Sequence, residues 1–361
     1  MKHYNIPIFI THLGCPYQCI YCDQRTITNQ EQAYKPSEIP ALVEKHLATI
    51  SGDDKEIEIA FFGGSFTTLD RELQERYLDM VQPFLQNGKV HGIRISTRPD
   101  YIDKAVLDFL KTKGVKTVEL GVQSLSDEVL KASGRGYKST DVSKACHLIK
   151  QSGLRLGLQL MIGLPGDDHD KALSTCQRAI RLRPDMVRIY PTLVLAGTTL
   201  AEFYYSGRYQ ALSLEQAVNW CKDMLVQFEK AGINVIRMGL YPGEDLQSDG
   251  VVIAGPFHPA FGELVEQELF KEQAQLLLNK YINTGQETDR LSILVHPRDL
   301  SRMIGQKRRN LHYLQRYFHL ADLSIRPSPN VAKGNIGISL HDCENPLLVL
   351  NRTEYLELCQ I

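Results

Sequence analysis

Short runs of β-branched and aromatic residues alternate with longer segments of helical period over the first two thirds of the chain. This alternation is typical of βα units, in which helices cover parallel strands. The predicted strands are Ile6–Thr11, Glu56–Phe62, Val90–Thr97, Thr117–Val122, Arg155–Ile162 and Met186–Pro191. The predicted helices are Pro36–Ile50, Asp70–Leu85, Ile102–Lys113, Ser139–Ser152, Asp167–Leu182 and Leu214–Ala231. The pattern therefore predicts the α/β class.

Six such units predict a partial (β/α)6 barrel, and an open doubly wound sheet is the alternative that the pattern leaves open. Conspicuous residues stand at or just after strand ends. The cysteines follow the first strand, Gly63-Gly64 the second and Gln123 the fourth, while Thr97-Arg98 and Tyr190-Pro191 lie at the ends of the third and the sixth. Barrel enzymes carry their active sites at this rim, which favours the barrel.

The character of the chain changes beyond about residue 245, starting with a stretch rich in Gly, Pro and Asp from Pro242 to Gly250. We predict a barrel domain over residues 1–245 and a smaller α+β domain over residues 246–361. In the second domain the predicted elements are a helix at Phe261–Tyr281, strands at Leu291–Val295, Leu323–Arg326 and Ile336–Leu340, and two helices that flank Gly305.

Composition narrows the class of protein. A chain of 361 residues with 43% hydrophobic residues is typical of a globular enzyme. The formal net charge of -1 predicts no overall attraction to nucleic acid or membrane, so any site for a polyanion has to be local. No stretch approaches the roughly 18 apolar residues of a membrane span, and the N-terminal residues lack signal-peptide features. We expect a cytoplasmic protein.

Three of the eight cysteines stand within eight residues, in the motif Cys15-Pro16-Tyr17-Gln18-Cys19-Ile20-Tyr21-Cys22. One short loop with this spacing can give three thiolate ligands to a 4Fe-4S cluster, and it leaves the fourth iron without a protein ligand. That iron can bind the amino and carboxylate groups of S-adenosylmethionine (SAM), so that one electron can break the carbon–sulfur bond. A zinc knuckle, which needs a fourth Cys or His, and a redox pair, which needs only two cysteines, are the alternatives.

The cysteine loop resembles the C-x-x-x-C-x-x-C signature of the radical SAM superfamily, including Tyr21 before the last cysteine. The resemblance implies a 4Fe-4S cluster on Cys15, Cys19 and Cys22, SAM as a cofactor, and an electron donor such as flavodoxin or ferredoxin. It also implies SAM contacts by Tyr21 and by the segment Gly63-Gly64-Ser65, in which a serine stands where an acidic residue is usual.

From about Ile6 to Met238 the chain resembles the radical SAM domain of the Elongator catalytic subunit and, more loosely, oxygen-independent coproporphyrinogen oxidases. The matching stretches are Gly63–Phe66, Ser96–Asp100, Glu119–Ser124, Gly134–Gly136, Arg188–Leu193 and Gly197-Thr198. They put Gln123 and Arg135 at the SAM site, together with Thr97 and Tyr190. Arg135 would offer a forked cation to the methionine carboxylate, and Gln123 a donor and an acceptor to the ribose hydroxyls.

Two features depart from the Elongator subunit. The gap between the first two cysteines is shorter here, and the chain of 361 residues is too short for that family's acetyltransferase domain. Acyl transfer is therefore not expected from the resemblance.

The segment from Ser292 to Leu340 resembles a K-homology (KH) RNA-binding fold, whose GxxG loop holds the nucleic-acid backbone between two helices. Here the loop is Gly305-Gln306-Lys307-Arg308, so an arginine replaces the second glycine. Lys307, Arg308 and Arg309 form a basic run suited to phosphates. A solvated, charged helix start is the alternative explanation of the same run.

Three functions remain open. The first is a radical SAM enzyme that acts on RNA, with transfer RNA (tRNA) as the example. The second is a radical SAM enzyme for a small molecule such as a tetrapyrrole or another metabolite. The third is a non-catalytic cluster protein that binds RNA or senses redox state. The SAM-site residues argue against the third, whereas the sequence does not separate the first two.

Overall fold

The computed structural model describes residues 2–28, 32–52, 54–241, 243–286, 288, 290–340 and 343–359. The chain divides into two compact units, Met1–Ala217 with Ile233–Pro259 and Val218–Gly232 with Ala260–Ile361. Compactness does not test whether residues 1–245 fold independently, so the division into domains at residue 245 stays a prediction. None of the described helices combines the length and apolar character needed to cross a bilayer.

The first unit is built on a parallel sheet of seven strands, in the order β1-β2-β3-β4-β5-β6-β8. Its strands, with the short pair β7 and β9, are β1 (Lys2–Phe9), β2 (Lys55–Phe62), β3 (Gly92–Thr97), β4 (Val115–Gln123), β5 (Arg155–Ile162), β6 (Met186–Pro191), β7 (Val194–Leu195), β8 (Asn234–Met238) and β9 (Val252–Ala254). The α/β class is confirmed, and the sheet has one strand more than the six predicted. The added strand β8 has only one neighbour and is partly exposed, so it lacks the apolar run of a buried parallel strand.

Helices follow the strands of this sheet. They are α1 (Gln24–Thr28), α2 (Ile39–Leu47), α3 (Arg71–Asp79), α4 (Gln82–Gln86), α5 (Lys104–Thr112), α6 (Asp127–Ala132), α7 (Ser139–Gln151), α8 (His169–Arg181), α9 (Thr199–Tyr205), α10 (Leu214–Lys230) and α11 (Glu244–Gln247). The single helix predicted over Asp70–Leu85 is two helices. Pro83 lies in the first turn of α4, where its missing N–H costs nothing, whereas inside a continuous helix it would remove a hydrogen bond.

The second unit carries a four-stranded sheet in the order β11-β10-β12-β13. Besides residues 218–230 of α10, its elements are α12 (Phe261–Ile282), β10 (Leu291–Val295), α13 (Leu300–Ile304), α14 (Arg309–Tyr317), β11 (Leu323–Pro327), β12 (Ile336–Leu340), β13 (Leu348–Leu350) and α15 (Arg352–Leu358). Strand β10 is parallel to β11 and antiparallel to β12. Along the chain, the strands and α-helices from β10 to β12 follow the predicted order: a strand, two helices and two strands. Between α13 and α14 the chain turns through left-handed backbone at Lys307 and Arg308, with φ of 51° and 61°.

Candidate active site

A cavity of about 960 Å³ in the first unit is lined by residues at the carboxyl ends of β1 to β6 and of β8. The residues that the sequence predicts to hold the cluster or SAM all line it: Cys15, Cys19, Cys22, Tyr21, Gly63, Gly64, Ser65, Thr97, Gln123, Arg135 and Tyr190. The structure thus brings together side chains from five strands of the sheet and their loops. Which ligand each one contacts stays a prediction. The basic run Lys307–Arg309 belongs to the second unit.

The cysteine loop leaves β1 through a tight turn. His12 and Gly14 have left-handed backbone, with φ of 54° and 72°. A Cβ at Gly14 would lie 2.4 Å from the Ser65 carbonyl oxygen, so only glycine fits there. The Ser65 N–H donates to the Leu13 carbonyl at 3.0 Å, which ties the cysteine loop to the segment that follows β2.

The three thiols are free, and two of them accept hydrogen bonds. Arg135 Nη1 donates to Cys19 Sγ at 3.0 Å, and Gln24 Nε2 donates to Cys22 Sγ at 3.3 Å. Burial, reinforced by the neighbouring Cys19, raises the pKa of Cys22 to about 12 and also raises the pKa of Cys15. A metal therefore has to displace protons from these thiols when it binds.

In the described part of the chain no three His, Cys, Asp or Glu side chains are already gathered as a metal site. Even so, three free thiols on one loop, with N–H donors directed at two of the sulfurs, are the donor set that a 4Fe-4S cluster with one open iron requires. The residues present therefore fit such a cluster.

Arg135 is buried at the centre of the site and links the cysteine loop to the end of β4. Its Nε donates to Tyr137 Oη at 2.9 Å, and its Nη2 donates to the Gly121 carbonyl at 2.8 Å. Its Nη1 lies 3.0 Å from Cys19 Sγ and 3.4 Å from Tyr21 Oη. These donors are turned to protein groups, so Arg135 braces the thiol side of the cavity.

Gln123 ends β4 in a conformation that is costly for any residue except glycine. Its φ is 63°, and the pairing of β4 with β5 shifts register between Gly121 and Gln123. Such a bulge re-aims the side chain that follows it. A Cβ at Gly121 would lie 3.0 Å from Gln123 Nε2, so the small residue makes room for the redirected amide. Strain of this kind concentrates at functional sites.

Ser65 and Thr97, both buried, hydrogen-bond to each other rather than facing the cavity as free hydroxyls. Ser65 Oγ lies 3.1 Å from Thr97 Oγ1, and Thr67 Oγ1 lies 2.6 Å from the same Thr97 oxygen. These hydrogen bonds between the three hydroxyl groups fix the turn after β2. At this turn Gly64 packs so closely that a Cβ would lie 2.5 Å from the Leu13 carbonyl oxygen and 2.6 Å from that of Ile10.

We expect Gly64→Ala to distort the cysteine loop and to lower the free energy of unfolding by about 1 to 3 kcal/mol, because the added methyl group meets two backbone oxygens. Denaturant titration and iron content after anaerobic reconstitution measure both effects. Gly92→Ala is the control, since the three atoms nearest to its Cβ would all belong to the Lys116 side chain and none to the backbone. If the two variants have the same free energy of unfolding and the same iron content, the close packing at Gly64 does not exclude a methyl group.

Arg98 was noted only for its position after the third predicted strand, without a role at the site, and Tyr137 was missed. Arg98 donates to Asp100 through Nε at 3.0 Å and Nη2 at 2.9 Å, and Nη2 also donates to the Arg135 carbonyl at 2.6 Å. Its Cζ lies 4.7 Å from the centre of the Tyr17 ring and 5.1 Å from that of Tyr137. The signal in the sequence was the position of Arg98, directly after Thr97.

A layer of buried charges within the sheet was also missed. Arg94 donates to Glu58 through Nε at 3.0 Å and Nη2 at 2.7 Å, and to Glu119 through Nη1 at 2.5 Å. Arg188 donates to Glu119 through Nε at 2.8 Å and Nη2 at 3.1 Å. Burial opposes ionisation of Glu119, but Arg188 and Arg94 hold its pKa below the usual range. Because buried charges are stable only when paired, this layer fixes the orientation of Arg188 in the cavity wall.

Comparison with known proteins gives matches to two families. Residues 9–179 match the radical SAM superfamily, and residues 184–271 match the radical SAM C-terminal domain. A tRNA uridine(34) acetyltransferase of Dehalococcoides mccartyi is 29% identical over 240 residues, which are 56% of this chain and 52% of that protein. An uncharacterised protein of Methanocaldococcus jannaschii is 30% identical over 237 residues, which are 62% of this chain and 71% of that protein.

Among solved structures, the archaeal Methanocaldococcus infernus Elp3 with an N-terminal deletion superposes with a TM-score of 0.59 at 25% identity. The match covers 75% of this chain and 63% of that chain. The chain spans about half the length of the Dehalococcoides acetyltransferase, 52%.

Proposed function

Because the chain belongs to the radical SAM superfamily, we propose that it holds a 4Fe-4S cluster on Cys15, Cys19 and Cys22, cleaves SAM there and modifies RNA, with tRNA as the substrate class. The two resemblances predicted from the sequence motifs, to this superfamily and to the Elongator catalytic subunit, are confirmed, and the chain is an enzyme. The observation that carries the proposal is the single cavity that the three cysteines share with the eight residues predicted to bind SAM.

A bound 4Fe-4S cluster supplies the electron that splits SAM into methionine and a 5′-deoxyadenosyl radical. In our proposal the three cysteines hold the cluster, and the N–H groups of Arg135 and Gln24 stabilise the negative charge on Cys19 and Cys22. The backbone of the turn Gly63–Ser65 accepts hydrogen bonds from the ammonium of SAM. An electron donor such as flavodoxin or ferredoxin is part of the proposal, because the cleavage consumes an electron.

The redirected amide of Gln123 has a donor and an acceptor, which suits the two ribose hydroxyls of SAM. The mostly buried Tyr21 packs in an apolar cluster with Cys19, Val129 and Leu164, and it provides an apolar wall beside the loop. In our proposal the reactive end of SAM lies beside this apolar wall, which excludes water from it.

The RNA part of the proposal is supported by the basic segment of the second unit. Residues 300–321 contain Arg302, Lys307, Arg308, Arg309 and Arg316 and no Asp or Glu. Arg302 pairs with Glu263 at 3.2 Å, and none of the other four forms an ion pair with a described residue. On α14 the rings of Tyr313 and Tyr317 stack with centroids 5.6 Å apart. Exposed cations beside aromatic rings suit the phosphates and bases of RNA.

The Dehalococcoides relative is by its name a tRNA-modifying enzyme, which further supports tRNA as the substrate class. Binding of tRNA by the full chain at low salt is the direct test. If the chain cleaves SAM but has no affinity for RNA, the small-molecule enzyme becomes the better account.

We expect the reduced holoprotein to convert SAM into 5′-deoxyadenosine and methionine, slowly even without substrate. Arg135→Ala should weaken SAM binding about tenfold or more, because it removes a charge-assisted contact worth about 1.5 to 3 kcal/mol. Chromatography of the products and calorimetric titration with SAM, both normalised to iron content, measure these effects.

Arg181→Ala, an exposed arginine at the end of α8, is the matched control and should bind SAM normally. Unchanged SAM affinity in Arg135→Ala would remove Arg135 from the SAM site. Failure of the reduced holoprotein to form any 5′-deoxyadenosine would contradict the proposed activity itself.

A further inference from the structure

The wall of the cavity is strongly cationic. Its charged and titratable side chains other than cysteine and tyrosine are Arg98, Arg135, Arg188, Arg237, His12 and His46. No Asp or Glu occurs among the described residues that line it. A concave site with this lining attracts anions, and the low-dielectric walls strengthen the attraction.

Two of the four arginines have carboxylate partners, and a third, Arg135, is held by several acceptors of the protein. Arg98 pairs with Asp100, Arg188 with Glu119, and Arg135 donates to Cys19. Although burial opposes it, Glu119 raises the pKa of Arg188, as expected of a satisfied ion pair. These three guanidinium groups are held in place by the protein itself.

Arg237 differs from these three. Its Nε donates to the Gly239 carbonyl at 3.0 Å, and its Cζ lies 5.6 Å from the centre of the Tyr241 ring. Among the side chains that the structure describes, no carboxylate lies at ion-pair distance from it. Desolvation and the neighbouring Arg188 lower its pKa. Arg237 is therefore a half-buried cation with no carboxylate partner among the described side chains.

A β-bulge puts Arg237 in this position. Val187 pairs with Val235 across β6 and β8, but Arg188 pairs with Arg237, so Ile236 is the extra residue. Without the bulge Arg188 would lie beside Ile236, and Arg237 would be on the other side of the sheet, since successive side chains alternate. The bulge thus puts Arg188 and Arg237 at paired positions on neighbouring strands, and of the two only Arg188 has a carboxylate partner among the described side chains.

From this geometry we infer that Arg237, with Arg188 beside it, forms a phosphate-binding subsite for the substrate nucleotide. The paired donors of a guanidinium match two phosphate oxygens, and Tyr241 supplies a ring at the same place. The volume of about 960 Å³ is at the upper end for a single ligand, roughly 300 to 1,000 Å³, so it has room for part of a nucleotide beside SAM. The inference rests on the proposed RNA-modifying function. It specifies which residues bind the phosphate group of the substrate nucleotide.

The test compares uridine 5′-monophosphate with uridine, which differ only in the phosphate, by calorimetric titration of the cluster-loaded holoprotein. We expect the monophosphate to bind about tenfold or more tightly than uridine, because of the charge-assisted contact. Arg237→Gln should abolish this preference without changing the affinity for uridine, whereas Arg237→Lys should retain most of it. Inorganic phosphate should compete with the monophosphate, and acetate at the same concentration should not, which distinguishes phosphate from carboxylate.

Arg208→Gln is the matched control, since Arg208 also lies over an aromatic ring, that of Phe203 at 4.1 Å, and is not part of the cavity wall. Equal affinities for uridine and its monophosphate in the native protein, or an undiminished preference in Arg237→Gln, would overturn the subsite. A parallel loss of SAM affinity in Arg237→Gln would also overturn it by assigning Arg237 to the SAM site. Formation of 5′-deoxyadenosine tests the proposed activity separately, so the two failures are distinguishable.

Discussion

Simultaneous replacement of Cys15, Cys19 and Cys22 with alanine is expected to remove the cluster completely and, with it, all SAM cleavage. The three thiols are the thiolate ligands that the motif offers to a cluster, and no three described His, Cys, Asp or Glu side chains are gathered as a metal site elsewhere. Iron and sulfide analysis of the anaerobically purified protein, together with its broad brown absorption, measures the loss. Formation of 5′-deoxyadenosine should fall to the level of a sample without enzyme.

The control for this prediction is the double variant Cys343→Ala and Cys359→Ala. Cys343 is exposed and Cys359 half-exposed, so both substitutions should leave stability and iron content unchanged. The circular dichroism spectrum of the triple variant distinguishes loss of the cluster from loss of the fold. A triple variant that keeps its full iron complement would show that the ligands are elsewhere in the chain.

A second large effect is expected when Lys307, Arg308 and Arg309 are all changed to Gln. Each phosphate that a cation neutralises releases counterions, so affinity for RNA falls steeply with salt. All three side chains are exposed, so Gln should leave the fold intact while it removes three charges. We expect the slope of log affinity against log salt for tRNA to shrink by about two to three units. Filter binding or fluorescence anisotropy over a salt series measures it.

The matched control is the variant in which Lys116, Lys131 and Lys144, all exposed on the first unit, are changed to Gln. It removes the same charge from a surface without the left-handed loop, so its slope should equal that of the native protein. The cluster content of both variants should be native. Identical salt dependence for the loop variant and the native protein would exclude Lys307–Arg309 as an RNA contact.

The basic loop Gly305–Arg308 forms a sharp turn that its backbone conformation defines. Gly305 has a φ of 75°, and a Cβ there would lie 3.0 Å from Asn310, so the first glycine of the predicted loop is required. Lys307 and Arg308 hold left-handed backbone without being glycine. Strained loops of this kind persist where the surrounding structure fixes them. The arginine in place of the second glycine therefore does not prevent the sharp turn between α13 and α14.

Much of the fold could be predicted because local signals agree with the tertiary structure. The predicted bounds Arg155–Ile162 and Met186–Pro191 are those of β5 and β6, and the predicted strand Leu291–Val295 is β10. Each is a short, largely apolar run between turn residues, which is the local signal of a strand buried inside a sheet. The break between α3 and α4 was missed, although Pro83 was visible, because apolar periodicity continues across it.

The sequence by itself determined the family and the cysteine motif, since both depend on residue types at fixed spacing along one segment. Only the tertiary structure decided that Arg135 donates to Cys19, that Glu119 holds Arg188, and that a bulge at Ile236 sets Arg237 beside it. These contacts join residues far apart in the chain. They depend on strand register, where a shift of one residue moves a side chain to the opposite face, and no local pattern in the sequence specifies that shift.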